Sequence, residues 1–461
     1  MTKTGTGKPA KEENRSTPGV REIVLEILLE ILEKKQYSHL VLQKALTKYQ
    51  YLDKQERSFI KRTADGTLER LIQIDYLIES YSSVKLRKMK PVIRTILRMS
   101  IYQICFMDRI PDSAACNEAV KLAARRGFSG LKGFVNGVLR NVSRHKDEIK
   151  WPDDSTALCL PQWILSLWEG QYGKETARTM AESFLKERPL TVRMNLSLAS
   201  REEIFASLEN QGVKITESGF AGDVIFLSQV DYLESLDAFS DGWLQVQDLS
   251  SSLAGDVARV KEGDYVIDVC GAPGGKSLHI AELLHGTGMV EVRDLTENKI
   301  ALVEDNIWRS GFSNIEARVQ DATEYDPDSE EKADLLIADL PCSGLGIIGR
   351  KPDIRYNMTE EQTRELAKLQ RTILSVVWRY VKPGGVMVFS TCTVDPAENE
   401  ENFYWMLKEF PFEPVDLTGR IGDLLAEALP EDTRKKGYIQ LLPGFYPGDG
   451  FFISVLRRKK E

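Results

Sequence analysis

Two cysteines lie where a catalytic thiol would be useful. Cys342 sits in the run Asp339-Leu340-Pro341-Cys342-Ser343-Gly344-Leu345-Gly346, and Cys392 in Phe389-Ser390-Thr391-Cys392-Thr393. Each run follows a candidate strand. Most cysteines are buried and inert, so neither position alone signals chemistry. Two at the carboxyl ends of neighbouring strands do. C5 of a pyrimidine is a poor nucleophile. A thiolate that adds at C6 turns the ring into an enamine, whose C5 can attack a sulfonium methyl. Loss of the C5 proton then expels the thiolate, so one hard substitution becomes several easier steps. A carboxylic acid at N3, the part Asp339 is placed to play, would stabilise the charge that develops on the ring. Types and spacing do not say which cysteine attacks.

The second constellation is a glycine-rich loop. The candidate strand Tyr265–Cys270 runs into Cys270-Gly271-Ala272-Pro273-Gly274-Gly275-Lys276, and a helix is predicted to begin near Ser277. Glycines let the backbone approach a ligand, and a helix N-terminus offers free N–H groups to an anion. A nucleotide-hydrolysing loop needs glycine at position 270, where Cys270 stands. A dinucleotide loop needs G-x-G-x-x-G, which Gly271-Ala272-Pro273 breaks. The third reading is S-adenosylmethionine, whose carboxylate would meet the same N–H groups. Asp294 ends the next candidate strand, where a carboxylate can accept from ribose hydroxyls. Asp321 ends the third, where an adenosine would lie. Taken alone, Asp321 is an ordinary strand-end turn residue. Loop and both carboxylates together favour an adenosine-bearing ligand.

These residues need an open sheet to position them. From about Gln245 the pattern alternates strands (Tyr265–Cys270, Met289–Asp294, Ile315–Gln320, Asp334–Asp339, Val386–Thr391) with helices. That order predicts a Rossmann-like α/β domain over 245–461, with a mostly parallel sheet that binds ligands at its strand carboxyl ends. Residues 151–244 read as a small α+β adaptor, with a strand at Leu190–Asn195 and a helix at Ser200–Asn210. Residues 19–150 are periodic in 3.6 throughout and predict an all-α domain of six or seven helices, one capped by Asp112 or Ser113. Residues 1–18 lack periodicity and read as a disordered leader.

The chain has 461 residues, 42% hydrophobic and 28% charged, which excludes a disordered or fibrous protein. No apolar run is long enough for a membrane helix. Six scattered cysteines without a C-x-x-C pair, and only four histidines, argue against a structural metal and for a reduced, cytoplasmic setting. Residues 1–150 carry 29 Lys and Arg against 17 Asp and Glu, a net of +12; the remainder carries 32 against 52, a net of −20. A basic helical domain, with Arg125, Arg126, Lys132, Arg140 and Arg144, suits phosphate contact. An acidic catalytic domain acting on RNA would need a local basic groove; Arg193, Lys351 and Arg355 are its candidates.

The three motifs resemble those of the cytosine-5 RNA methyltransferases of the Nop2/Sun class: D-x-C-A-A-P-G-G-K at Asp268–Lys276, D-A-P-C-S-G-x-G at Asp339–Gly346 and S-T-C-S/T at Ser390–Thr393. The segments Asn117–Ala123 and Phe134–Asn141 resemble the NusB-like RNA-binding module. A NusB-like domain joined to such an enzyme resembles the bacterial ribosomal RNA small subunit methyltransferase B family. The resemblance implies methyl transfer from S-adenosylmethionine to C5 of a cytidine in 16S ribosomal RNA; no metal is expected, and a monomer is the default. It implies Cys392 as nucleophile and Cys342 in product release. It implies Cys270, Gly271, Ala272, Pro273, Gly274, Gly275, Lys276, Asp294, Asp321 and Asp339 as donor contacts, with Asp339 also holding the base. Two positions depart from the family. Gly271 replaces alanine and is expected to loosen the turn. Leu340 replaces alanine and is expected to alter packing behind Cys342. The rivals are the same chemistry on transfer or large-subunit RNA, a non-catalytic NusB-type binding protein, and a nucleotide hydrolase.

Overall fold

A computed structural model describes residues 18–230 and 232–460. The expected leader lies outside the described residues except for Pro18. The chain divides into two compact units, one ending at Lys150 and one beginning at Trp151.

The first unit is helical: α1 (Val20–Leu32), α2 (Ser38–Lys48), α3 (Lys54–Glu69), α4 (Leu71–Tyr81), α5 (Pro91–Phe106), α6 (Asp112–Arg125) and α7 (Lys132–His145). α5 is buried on nearly all sides and forms the centre of the unit. Proline at its first position suits a helix start, because the missing N–H would be unpaired there. Its Arg98 forks onto Asp75 of α4 at 2.7 and 2.6 Å. The expected cap at Asp112 or Ser113 is not what forms. Pro111 takes the cap position and Asp112 lies inside the first turn. The Asp112 carboxylate instead accepts from Ser143 Oγ at 2.7 Å and Lys146 Nζ at 3.0 Å, fastening α6 to the end of α7. Arg125, Lys132, Arg140 and Arg144 are exposed, whereas Arg126 is paired with Glu26 of α1.

The second unit holds two sheets. β1 (Leu190–Met194), β2 (Lys214–Glu217), β3 (Val224–Ser228) and β4 (Leu244–Val246) form an antiparallel sheet in the order β2-β3-β1-β4. The helix Arg201–Asn210, boxed at its start by Ser200 and Glu203, packs Ile204 and Leu208 onto it.

The larger sheet contains β5 (Tyr265–Asp268), β6 (Met289–Asp294), β7 (Ile315–Val319), β8 (Ala333–Asp339), β9 (Val381–Thr391), β10 (Phe412–Pro414), β11 (Tyr438–Leu441) and β12 (Phe451–Arg458). Its order is β10-β12-β9-β8-β5-β6-β7, with β11 beside β12. β5 to β9 are parallel, and β10 to β12 add an antiparallel flank. Alternate residues feed opposite cores. Val266, Leu335 and Ile337 meet the helices Leu249–Ala258 and Gly275–Leu283 on one face. Ile267, Leu336 and Ala338 meet the helices Glu360–Val377 and Glu400–Glu409 on the other. Burial on both faces explains why these strands read as continuous apolar runs. The chain order reverses between β5 and β8, which opens a crevice at their carboxyl ends.

Candidate active site

β8 and β9 pair with Asp339 opposite Ser390, so both strands leave the sheet at one level. The loops that follow bring Cys342 Sγ to 3.3 Å from Cys392 Sγ. Both are free, half-buried thiols. The contact with Cys392, then burial, then the negative charges of Glu398 and Asp339 push the Cys342 thiol well above the usual range. It therefore stays protonated and can donate to its neighbour.

Asp339 stands beside this pair at the end of β8. Its Oδ1 accepts from Ser390 Oγ and its Oδ2 from Lys276 Nζ, each at 2.7 Å. Lys276 also lies 5.0 Å above the Phe451 ring. Burial opposes its charge, but Asp339, Asp268 and Cys392 outweigh burial and raise its pKa. A cation thus faces Cys392 from the glycine-rich loop.

That loop is held from several sides. Gly271 N donates to Arg293 O at 2.9 Å, Ala272 N to Asp294 Oδ2 at 3.1 Å, and Asn306 Nδ2 to Pro273 O at 2.9 Å. The Ala272–Pro273 peptide is cis. Gly274 takes a φ of +102° and precedes a helix, Gly275–Leu283, that has no side-chain cap. Its first-turn N–H groups are therefore open to an anionic group, which suits the carboxylate of S-adenosylmethionine. Cys270 lies in the same loop, where burial and nearby carboxylates push its thiol up.

Gly271 is not a loosening substitution, contrary to the expectation from sequence. A Cβ there would meet Val292 Cγ1 at 2.5 Å and the Asp268 carboxyl at 2.8 Å. Gly271→Ala is expected to weaken S-adenosylmethionine binding about tenfold by displacing the loop, an effect of about 1–3 kcal/mol. Adding Val292→Ala should recover part of it. Calorimetric titration of the single and double variants checks both. Leu340 is buried in the core below the loop and leaves the thiols unobstructed.

Asp268, beneath the loop, accepts from Ser277 Oγ at 2.5 Å. Burial pushes its carboxyl from 3.8 up to about 7. A carboxyl raised on folding contributes fully below its unfolded pKa and loses that contribution as pH climbs to the folded value. Stability should therefore fall between pH 3.8 and about 7, with Glu398, also raised by burial to about 7, acting in the same sense. Chemical denaturation across this window should show a shallower fall for Asp268→Asn.

Asp294 Oδ1 accepts from Leu295 N at 2.7 Å and Lys299 Nζ at 2.8 Å, which leaves Oδ2 to share between Ala272 and a ligand. Asp321 follows β7, at the far edge of the sheet. Its Oδ1 accepts from Thr323 Oγ1 at 2.7 Å and Thr323 N at 2.8 Å, bonds that lower its pKa. These bonds make a strand-end turn and occupy Oδ1.

The basic groove is not assembled as expected. Arg193 is buried in β1, paired with Glu282 and donating to Gln247 Oε1 at 2.9 Å, and Arg355 is also buried. Only Lys351 of the three is partly exposed. A central strand and a packed short helix direct the two arginines inward. Sequence reasoning also missed Glu398, Asn399, Gln370 and Asn402, which surround the cysteine loops. Their signal is polar side chains in phase with buried ones: Gln370 with Ala367, Ile373 and Leu374, and Asn402 with Phe403 and Met406.

Comparisons with known proteins agree with this architecture. Residues 257–457 match the 16S rRNA methyltransferase RsmB/F family, residues 160–231 the RsmF/B-like ferredoxin-like domain, and residues 19–144 the NusB family. A Bacillus subtilis (strain 168) protein described as a probable ribosomal RNA small subunit methyltransferase B is 36% identical, covering 95% of this chain and 99% of the relative. The ribosomal RNA small subunit methyltransferase B of Enterobacter sp. (strain 638) is 30% identical, covering 88% and 92%. The crystal structure of PH0851 superposes with a TM-score of 0.80 at 25% identity, covering 96% of this chain and 99% of that one. The fold and site define an S-adenosylmethionine-dependent RNA (cytosine-5) methyltransferase. The chain belongs to the ribosomal RNA small subunit methyltransferase B family.

Among the described residues, no helix is long and apolar enough to cross a membrane, and no group of three or more His, Cys, Asp or Glu side chains is arranged to hold a metal.

Proposed function

We propose that this enzyme methylates C5 of a cytidine in 16S ribosomal RNA, with Cys392 as nucleophile and Cys342 serving product release. The thiol pair at 3.3 Å beside the Lys276–Asp339 ion pair carries the reading, and the names of the relatives supply the RNA. S-adenosylmethionine, when bound, supplies an electrophilic methyl. The loop from Cys270 to Lys276 and the carboxylates Asp294 and Asp321 would hold it. The Cys392 sulfur, faced by the Lys276 ammonium, adds as thiolate to C6 of the cytosine. Asp339 accepts from the N4 amine and holds Lys276 in place, whose ammonium offsets the negative charge displaced into the ring. C5 then takes the methyl. Water in the crevice takes the C5 proton, the C5–H electron pair re-forms the C5–C6 double bond, and the C6–S pair returns to the Cys392 sulfur, which accepts a hydrogen bond from the Cys342 thiol.

Residues 19–150 would grip RNA through Arg125, Lys132, Arg140 and Arg144, residues 151–244 would serve as adaptor, and residues 245–461 would carry out the reaction. The enzyme would act as a cytoplasmic monomer. The test is transfer of tritiated methyl to deproteinised RNA, and separately to intact small subunits, from cells lacking the enzyme. Label in 5-methylcytosine of 16S RNA is the expected result. Label confined to transfer or large-subunit RNA would move the substrate, and no label in any RNA would refute the reading.

A further inference from the structure

Two consecutive residues, neither used in the chemistry above, grip the two cysteine loops. Glu398 is fully buried. Its Oε2 accepts from Ser343 N at 2.9 Å and Gln370 Nε2 at 3.0 Å, and its Oε1 accepts from Ser343 Oγ. Gln370 Nε2 also donates to Pro341 O at 2.9 Å. Glu398 therefore holds the residues on both sides of Cys342. Asn399, also fully buried, does the same for Cys392. Its Oδ1 accepts from Thr391 Oγ1 at 2.5 Å and its Nδ2 donates to Thr393 O at 3.1 Å. The two grips are joined, because Ser343 Oγ lies 2.7 Å from Thr393 Oγ1. Asn402 Nδ2 braces the assembly from below, donating to Gln370 Oε1 at 2.8 Å and Glu398 O at 3.2 Å.

We propose that Glu398 and Asn399 are positioning residues that set the distance between the Cys342 and Cys392 thiols. The inference rests on the covalent mechanism given above. Burying a carboxylate is costly, and apolar packing would stabilise the fold as well or better. What a carboxylate supplies is two acceptor oxygens and no donor. Three donors converge on Glu398, whereas Asn399 Nδ2 donates to two acceptors, Thr393 O at 3.1 Å and Gln440 Oε1 at 2.8 Å, so a carboxylate of the same shape at position 399 would turn an oxygen toward an oxygen. The peptide after Cys392 would then shift, and a misplacement of about 1 Å at a reacting group costs roughly 10²-fold in rate. The donor loop follows β5 and makes none of these bonds, so donor binding should not change.

The experiment measures two quantities on the full chain: the rate of covalent adduct formation with 5-fluorocytidine RNA in the presence of S-adenosylmethionine, and the Kd for S-adenosylmethionine. Fluorine at C5 cannot leave without its bonding electrons as hydrogen does, so the adduct persists. Asn399→Asp is expected to slow adduct formation about 100-fold with Kd changed less than about twofold. Ser343→Ala removes the hydroxyl link to Thr393 but keeps the backbone bond to Glu398. It is expected to slow the reaction about tenfold, and it serves as the second variant if Asn399→Asp does not fold. A merely structural role would lower adduct formation and donor binding together. That parallel loss, or wild-type adduct rates in the variants, would overturn the proposal. If the wild type forms no adduct, the mechanism itself falls and the positioning role with it. If only the variants fail, the mechanism stands.

Discussion

Cys392→Ala is expected to abolish methyl transfer, lowering the single-turnover rate by on the order of 10⁴-fold or more, as for other enzymes stripped of their nucleophile. Cys342→Ala is expected to behave differently. It should leave C6 attack intact and trap a protein–RNA complex that survives denaturing electrophoresis, with multiple turnover reduced about 100-fold. The electrostatics give a reason independent of the family resemblance. Lys276 is the cation that senses Cys392, whereas Cys342 faces Glu398 and Asp339 and is held high. Of two thiols 3.3 Å apart, the one held protonated is Cys342, which is therefore the donor to Cys392. A sulfur leaving C6 gains from a donor already in contact, so removing that donor retards release more than attack. Methyl-transfer time courses and gel analysis of both variants decide the matter. An adduct trapped by Cys392→Ala, with Cys342→Ala inert, would reverse the two roles.

The parts of this enzyme legible in its sequence are those whose residue types carry their own geometry. The parallel strands show as apolar runs because both faces are buried, and four of the five were placed within about two residues at each end. β9 was the exception. It starts at Val381, five residues before the expected Val386, because Lys382-Pro383-Gly384-Gly385 reads as a turn yet continues the strand. The antiparallel flank β10 to β12 was not anticipated, since it breaks the alternation of strand and helix that betrays the rest. The thiols and the glycine loop were legible because they stand at strand ends, where such sheets bind ligands. Burial was not legible from charge. Arg193 and Arg355 look like surface cations in the sequence and face inward in the fold. Glu398 and Asn399 look like an ordinary acidic helix start, because their partners lie on other segments. Only the fold brings Ser343, Gln370 and Thr393 to them.

Asp339→Asn should lower kcat/KM on cytidine RNA by about 10²–10³-fold, the usual cost of losing one aimed polar group in a closed site. Each Asp339 oxygen already holds one bond, from Ser390 or from Lys276, so the carboxylate is fixed in plane before substrate arrives. Cytosine presents its N4 amine as a donor, and a carboxylate is the complementary acceptor. Uracil presents an acceptor at that place, so the same oxygen repels it. Asparagine keeps the shape but brings an N–H into contact with Lys276 or with the N4 amine, and both contacts are then donor against donor. Lys276→Met should cost a similar factor, because it removes the cation that faces Cys392 and leaves Asp339 unpaired. The two losses should not multiply, since the ion pair acts as one unit. The double variant is therefore expected near the activity of the worse single one. Ser390→Ala, which removes a neutral bond at the rear of the carboxylate, should cost only a few-fold. Steady-state kinetics of the four variants on one RNA test this directly. Full multiplicativity would show that Lys276 and Asp339 act at separate steps. A near-normal Asp339→Asn would place base recognition elsewhere in the crevice.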